Sequence, residues 1–476
     1  MPSRQDQLQS YQFSVQRVVA ALVTHDSDPA QSPFRRSVAA TMGGVLVAVI
    51  ALAGAVVFAL LGGGDTKKWQ DDTTVFIEND TGAKYVYVKE DGQLHPMLNF
   101  ASALLVANAT ARTHKPISRK SVANANLGPQ LGIPGAPDSL PTRGDLVTEP
   151  WTLCSQRDTG TTTATSLLTV GGNATGGQLL TVPKQGSADA LLISTSSTRQ
   201  YLVYNNYRHR ILQPQTALTA LNASGQQPIR VAAALANALP AGVDVRPLSI
   251  ANRGQPSTAL RGVKIGQIYT AAAPGGLHEY AVAFADGVTD ISEVQANLLL
   301  ADPQTAAAVG QQTITVNTAQ YSALPRSKVV LSGQTGDAAL PATTPNLIGT
   351  AQSVCVTVPN AADRVTRVVV DAAAPVNANV VTTASSTAAG TVLADRIAVP
   401  RGHGVLVGAV ASPDAPADSD ALSLVTDAGL RYPVADRDIL AKLGYAGVTP
   451  VRMPAELVAM VPAGPPLDPA AARARA

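Results

Sequence analysis

The 476 residues carry a net charge of +2 with only 14% charged side chains, so there is no basic excess of the kind nucleic-acid binding needs. With 2 Trp, 11 Tyr and 6 Phe, the chain lacks material for a base-stacking platform or a ring-lined carbohydrate groove. The 38 Gly and 33 Pro favour many short elements joined by turns, and a chain of this length needs two or more cores or a repeated unit.

The opening "SRQDQLQSYQFSVQRVVAALVTHDSDP" predicts one amphipathic helix within residues 1–36. Leu8, Tyr11, Val15, Val18 and Leu22 recur at spacings of three and four, which puts them on one stripe. Ser3 followed by Asp6 reads as a capping box, and the helix should stop by Asp28, before Pro29. With no domain of its own to pack against, the stripe calls for a partner protein or the membrane surface. The scarcity of basic residues on its polar face favours protein.

From Ser37 to Leu61 no residue is charged. About 24 helical residues at ~1.5 Å each would reach about 36 Å, enough to cross a hydrocarbon core of ~30 Å. A cleavable signal peptide would have a shorter apolar run near the start. Here the run is longer and follows 36 residues, so a retained anchor over 37–61, from Val38 to Leu61, is expected. Arg17, Arg35 and Arg36 precede the span and Lys67 and Lys68 follow it, a count that only leans toward a cytoplasmic N-terminus. Cys154 and Cys355 both lie beyond the span. In an exported compartment two such thiols would tend to pair, the alternative being two unrelated buried cysteines.

Four stretches after the anchor share one order, a strand, a tight turn, a short strand and a helix. They are "KYVYVKEDGQLHPMLNFASALLVAN", "QYLVYNNYRHRILQPQTALTALNA", "EYAVAFADGVTDISEVQANLLLAD" and "LSLVTDAGLRYPVADRDILAKLGY". Asp-Gly or Asn-Asn suits the hairpin, Pro96, Pro214 and Pro433 are placed before helix starts, and in the third copy Asp290 and Ser292 take the capping role. These give repeats over 72–128, 198–255, 256–310 and 401–462. Short β-branched runs such as "TTTATSLLTV", "SVCVTV" and "TRVVVDAAAP" predict a β-rich central domain over 145–197 and 311–400 that holds both cysteines. Residues 463–476, "AGPPLDPAAARARA", read as a flexible tail.

The chain lacks a G-x-x-x-x-G-K-[ST] phosphate cradle, a G-x-S-x-G elbow and an H-E-x-x-H pair. The six histidines are scattered, and "RHR" (208–210) and "LHE" (277–279) read as hairpin surface. No catalytic, cofactor or metal residue is expected.

The N-terminal "RQDQLQSYQFSVQRVVAALV", the single anchor, "TGAKYVYVKEDGQLHPMLNFASALLV", "PWTLCSQ" around Cys154, "SVCVTV" around Cys355 and the C-terminal "VTDAGLRYPVADRDILAKLGY" resemble the EccB family, membrane core components of mycobacterial type VII (ESX) secretion systems. The resemblance implies an α+β fold with a single transmembrane helix and an elongated periplasmic region of four repeats around a β-rich domain. It also implies a Cys154–Cys355 disulfide and an inner-membrane location with the N-terminus cytoplasmic. EccC, EccD, EccE, the protease MycP and other EccB copies are the implied partners, along with membrane lipid. The implied role is structural, anchoring and assembling a secretion channel. The alternatives are a peptidoglycan-binding module, since the repeats look like cell-wall-binding modules of phage lysins, and an ATPase, a label some members carry.

Overall fold

The computed structural model describes residues 3–25, 34–61, 69–157, 163–180, 188–331, 333, 335–363, 365, 367–375 and 379–476. The expected helix stop at Asp28–Pro29 and the flanking Lys67 and Lys68 lie outside them. The fold is α+β in two compact units, one of residues 1–71 with 118–125 and one of 72–117 with 126–476.

The first unit is helical. Helix Arg4–Thr24 is opened by the capping box, with the Asp6 amide donating to Ser3 Oγ (3.3 Å) and the Ser3 amide donating to Asp6 Oδ2 (3.0 Å). It ends at His25, whose φ of 56° turns the chain out of the helix. The long apolar helix is Phe34–Leu61.

In the second unit four sheets repeat one topology, in which the third, second and first strands lie side by side and a fourth strand runs parallel to the first on its outer edge. The first repeat uses Val75–Glu78, Lys84–Val88, Gln93–Met97 and His114–Ile117. The second uses Asp189–Ser194, Gln200–Tyr204, Tyr207–Arg210 and Ile229–Arg230, with Asn346–Ile348 also parallel to its first strand. The third uses Ile268–Ala272, His278–Ala283, Val288–Ile291 and Ile314–Val316, and the fourth Gly404–Val410, Ala421–Thr426, Arg431–Pro433 and Val451–Pro454. A parallel return needs a crossover. That is the place of the helices Phe100–Val106, Pro214–Ala220, Glu293–Ala301 and Ile439–Lys442.

Each repeat therefore begins one strand before, and ends one strand after, the hairpin-plus-helix signature. Asp189–Ser194 and Ile314–Val316, expected in the central domain, belong instead to the sheets of the second and third repeats. As short apolar runs they carry no local sign of which sheet they join. The prolines behave unequally. Pro214 is the first residue of its helix, but Pro96 and Pro433 lie inside third strands. Asn99 caps the first repeat's helix instead, accepting from the Ser102 amide at 2.9 Å. In the third repeat Ser292 caps with Gln295, whereas Asp290 sits in the strand and accepts from the Tyr321 hydroxyl (2.8 Å) and Arg326 (2.5 Å).

The central sheet has seven strands in the order Val380–Thr382, Arg396–Ala398, Ala164–Val170, Trp151–Arg157, Ser353–Val358, Arg367–Val370 and Gln178–Leu179. Period-2 alternation then decides what packs on what. In Gly404–Val410, Val405 and Val407 join a core with Trp151, Leu153 and Leu168 of the central sheet, while Leu406 on the opposite face joins Val75, Val86 and Leu104 of the first repeat. In Asp189–Ser194, Leu191 and Ile193 face the central core, and Ala190 and Leu192 face Val294 and Leu298 of the third repeat's helix. The second and fourth repeats are thus buried on both faces and carry the third and first repeats on their outer sides.

Residues 463–476 are folded, which corrects the expectation of a flexible tail. Leu467 and Ala472 are fully buried in the core shared by the first and fourth repeats. Asp468 caps helix Pro469–Ala472, and the Gly132 amide donates to Ala474 O at 3.2 Å. The polar, Pro- and Ala-rich composition gave no sign of this, because its two apolar anchors fill a core built by residues far away in sequence.

One packing device recurs. After the crossover each chain returns beside its third strand, through bridges Leu94↔Leu127, Arg208↔Ala241, Val288↔Arg326 and Arg431↔Ala463. The next residue along is Gly128, Gly242, Ser327 or Gly464. A Cβ on Gly128 would lie 2.3 Å from the His95 ring, on Gly242 2.4 Å from the His209 ring, and on Gly464 2.5 Å from the Tyr432 ring. In the third repeat Thr289 replaces the ring, and Ser327 has room. Gly242→Ala should therefore cost about 1–3 kcal/mol by overpacking, read as a lowered thermal midpoint, and the paired change His209→Thr with Gly242→Ser should recover part of it.

Candidate functional site

Three features of the chain can do work in an assembly. The first is the apolar helix. Its segment Ser37–Val57 holds no Asp, Glu, Lys or Arg and is entirely exposed within the chain, so by length and composition it is able to cross a membrane. Val38 is exposed and Leu61 is the last helical residue.

The second is the N-terminal helix. Leu8, Tyr11, Val15, Val18 and Leu22 are all exposed, from 43% for Val15 to 74% for Leu22, so the described residues of the helix's own unit leave the stripe uncovered. Phe13 is also exposed, on the opposite side of the helix, with the Arg17 guanidinium 5.8 Å from its ring centroid. Spacing alone did not select Phe13, because it falls off the three-four pattern.

The third is the disulfide. Cys154 and Cys355 stand directly opposite on neighbouring antiparallel strands at the middle of the central sheet and are bonded, 201 residues apart in sequence. Both are buried. Everything between them, the whole second and third repeats included, is a loop closed by this bond.

The histidines show that local sequence can mislead. His278 is exposed, as expected of hairpin surface, but His209 is fully buried. It is covered by Gly242, which lies far along the chain. His95 and His209 occupy equivalent strand positions, and each ring Nδ1 donates to a carbonyl 34 residues on, Pro129 O at 2.9 Å and Val243 O at 2.8 Å. Their second nitrogens differ. His95 Nε2 meets Asp91 at 2.8 Å, whereas His209 Nε2 makes no hydrogen bond of normal geometry among the described residues. Burial holds the His209 pKa below its ordinary value near 6.5, only partly offset by the Val243 and Tyr204 carbonyls and the Asp244 charge. A depressed histidine pKa means the unfolded chain binds the proton first. Stability is therefore full above about pH 6.5 and falls as the pH drops through the folded value. Thermal midpoints should decline on acidification below about pH 6.5, and less steeply in His209→Gln.

Among the described residues no three His, Cys, Asp or Glu side chains are placed to hold a metal. A cavity of about 250 Å³ lies where the second repeat, a central-sheet loop and the fourth repeat meet, lined by Arg208, Asn237, Leu239, Val365 and Glu456. Arg208 is committed there to Ala236 O (2.8 Å) and Asn237 Oδ1 (2.7 Å), and the cavity holds no nucleophile paired with a base.

The chain matches, over residues 1–476, the family described as type VII secretion system ESX-1, transport TM domain B. It belongs to the EccB family. Among curated EccB proteins, the "ESX-2 secretion system ATPase EccB2" of Mycobacterium tuberculosis (strain ATCC 25618 / H37Rv) is 31% identical over 261 residues, covering 53% of this chain and 51% of the relative. The "ESX-3 secretion system ATPase EccB3" of Mycolicibacterium smegmatis is 26% identical, covering 62% and 56%. The chain thus spans about half the length of the curated relatives it matches. One chain of an intact ESX-5 inner membrane complex superposes with a TM-score of 0.64 at 24% identity, covering 100% of this chain and 96% of that one. An EccB3 dimer from the ESX-3 core complex gives 0.63 at 24%, covering 84% and 99%. The EccB fold is shared across the repeats and the central sheet.

Proposed function

We propose that the chain is a structural subunit of a type VII secretion membrane complex. A retained single-pass helix holds it in the inner membrane, the N-terminal helix lies in the cytoplasm, and residues 72–476 form a periplasmic scaffold of four repeats around the central sheet. The observation that carries this reading is the apolar helix, exposed over Ser37–Val57, in a chain whose large body is closed by the Cys154–Cys355 disulfide. The cytoplasmic stripe Leu8, Tyr11, Val15, Val18 and Leu22 docks on partner subunits of the EccC, EccD and EccE type. The periplasmic body contacts other EccB copies and MycP. Support comes from the family and from similar chains solved within ESX inner-membrane and periplasmic assemblies.

Two experiments test the reading. Replacing Leu8, Tyr11, Val15, Val18 and Leu22 by serine should leave the chain in the membrane fraction but strip the other complex subunits from a mild-detergent pull-down. Undiminished recovery would contradict the docking role. A cysteine introduced at the exposed Leu277 (Leu277→Cys) should be labelled by a membrane-impermeant maleimide applied to intact cells, and labelling only in lysed cells would reverse the topology.

The relatives' names contain the word ATPase. We read the chain as non-hydrolytic because it has no G-x-x-x-x-G-K-[ST] segment to cradle phosphates. Purified chain should release phosphate from ATP no faster than a heat-inactivated control.

A further inference from the structure

Charge is strongly segregated beyond the apolar helix. Residues 190–278 contain seven Arg and one Lys against a single carboxylate, Asp244, and residues 411–438 contain six Asp against two Arg. The near-neutral total conceals two opposite patches.

Strand pairing gathers part of the basic set at one end of the second repeat's sheet. Arg210 ends the third strand, and the Val245 amide donates to its carbonyl at 2.8 Å, so Arg246 emerges beside it. The Ile211 amide donates to Gln200 O at 3.0 Å, which brings Arg199 to the same end. Arg230 lies opposite Ser194, itself opposite Gln200, so the row crosses three strand spacings, about 14 Å. Arg199, Arg210 and Arg246 are exposed, and none of them is in an ion pair among the described residues.

The acidic set sits on two loops of the fourth repeat. Asp414 and Asp418 lie between its first and second strands, and Asp436 and Asp438 follow its third. The Arg437 guanidinium donates to Ala417 O, which holds the two loops together. All four carboxylates are exposed and outside any ion pair among the described residues. Asp420, by contrast, is taken by Arg452 at 2.8 and 3.1 Å.

Gathering like charges on one surface costs the isolated chain self-repulsion, which an opposite patch relieves. The chain carries both patches, and no ion pair among the described residues joins them to each other. We propose that the arginine end of the second repeat docks onto the aspartate loops of the fourth repeat in a second copy of this chain. An anionic polymer or lipid would account for the arginines but leave the aspartates unexplained, whereas a second copy accounts for both. The two surfaces differ, so the contact is head-to-tail and repeats around a ring or along an array. Charges so placed fix the orientation and speed of docking.

The inference rests on the reading that several copies assemble. Full-length chain in mild detergent is weighed by mass photometry in low and high salt. It is compared with R199E/R210E/R246E, with D414K/D418K/D436K and with the six-fold combination. Each triple variant should reduce the multi-copy species by about tenfold or more, because like charges then face each other. The combination, which swaps the signs, should restore it, and high salt should dissociate the wild type. Wild-type chain that is monomeric in low salt would overturn the assembly reading together with this inference. A multi-copy wild type unmoved by either triple variant would overturn this inference alone. Loss in the arginine variant with none in the aspartate variant would also overturn it, and would point to a separate anionic partner. Restoration by the sign swap shows that the triple variants fold.

Discussion

Cys154→Ser with Cys355→Ser is expected to destabilise the body of repeats and central sheet by roughly 5 kcal/mol, the loop-closure value for a bond spanning 201 residues. The bond joins facing residues at the middle of the central sheet, between the strands that both flanking repeats pack against. Without it, the chain between residues 154 and 355 is free in the unfolded state, and its conformational entropy then favours unfolding. Denaturant curves of the double variant should match those of the wild type under reductant, and both should fall well below the oxidised wild type. Coincident oxidised and reduced curves would show that the bond constrains nothing the fold needs. Since a loss of this size rivals the whole stability of many domains, the reduced protein should also be degraded faster in cells.

Ending the chain after Pro466 should be nearly as damaging. Leu467 is fully buried where the first and fourth repeats share a core, alongside Leu104, Leu406 and Tyr445. Emptying a site of this kind costs about 2–5 kcal/mol. The truncation also removes Ala472 from that core, the cap at Asp468 and the bond from the Ala476 amide to Gln130 O (3.1 Å). Leu467→Ala should show most of the loss by itself. Hydrogen exchange should locate the effect, with faster exchange around residues 94–140 and in the fourth repeat and little change in the third repeat, which packs elsewhere. Unchanged protection around residues 94–140 would mean that the segment merely rests on the surface.

What the sequence made legible was local chemistry. Ser3 and Asp6 announce a helix start because both partners of the capping box lie within one turn. Asn205 and Asn206 announce a hairpin because the turn needs positive φ at both positions, here 49° and 62°. The apolar run after residue 36 announces a membrane-length helix by length alone. The return strands were opaque because Ile229–Arg230 or Ile314–Val316 is a two- or three-residue run whose partner is set by a crossover, not by its neighbours. Burial of His209 depends on Gly242, and order in residues 463–476 depends on a core assembled by the first repeat. The opposed charge patches were countable in the sequence. Their clustering was not, since it follows from the register of four strands.

The proposed role requires an uncleaved membrane helix that holds a multi-repeat scaffold inside a larger complex. The most direct measurement is the mass and composition of what co-purifies with C-terminally tagged full-length chain from gently solubilised membranes. A large assembly is expected, holding several copies of the chain, each retaining residues 34–61, together with other secretion subunits. A lone monomer, or a chain that begins beyond Leu61, would contradict it.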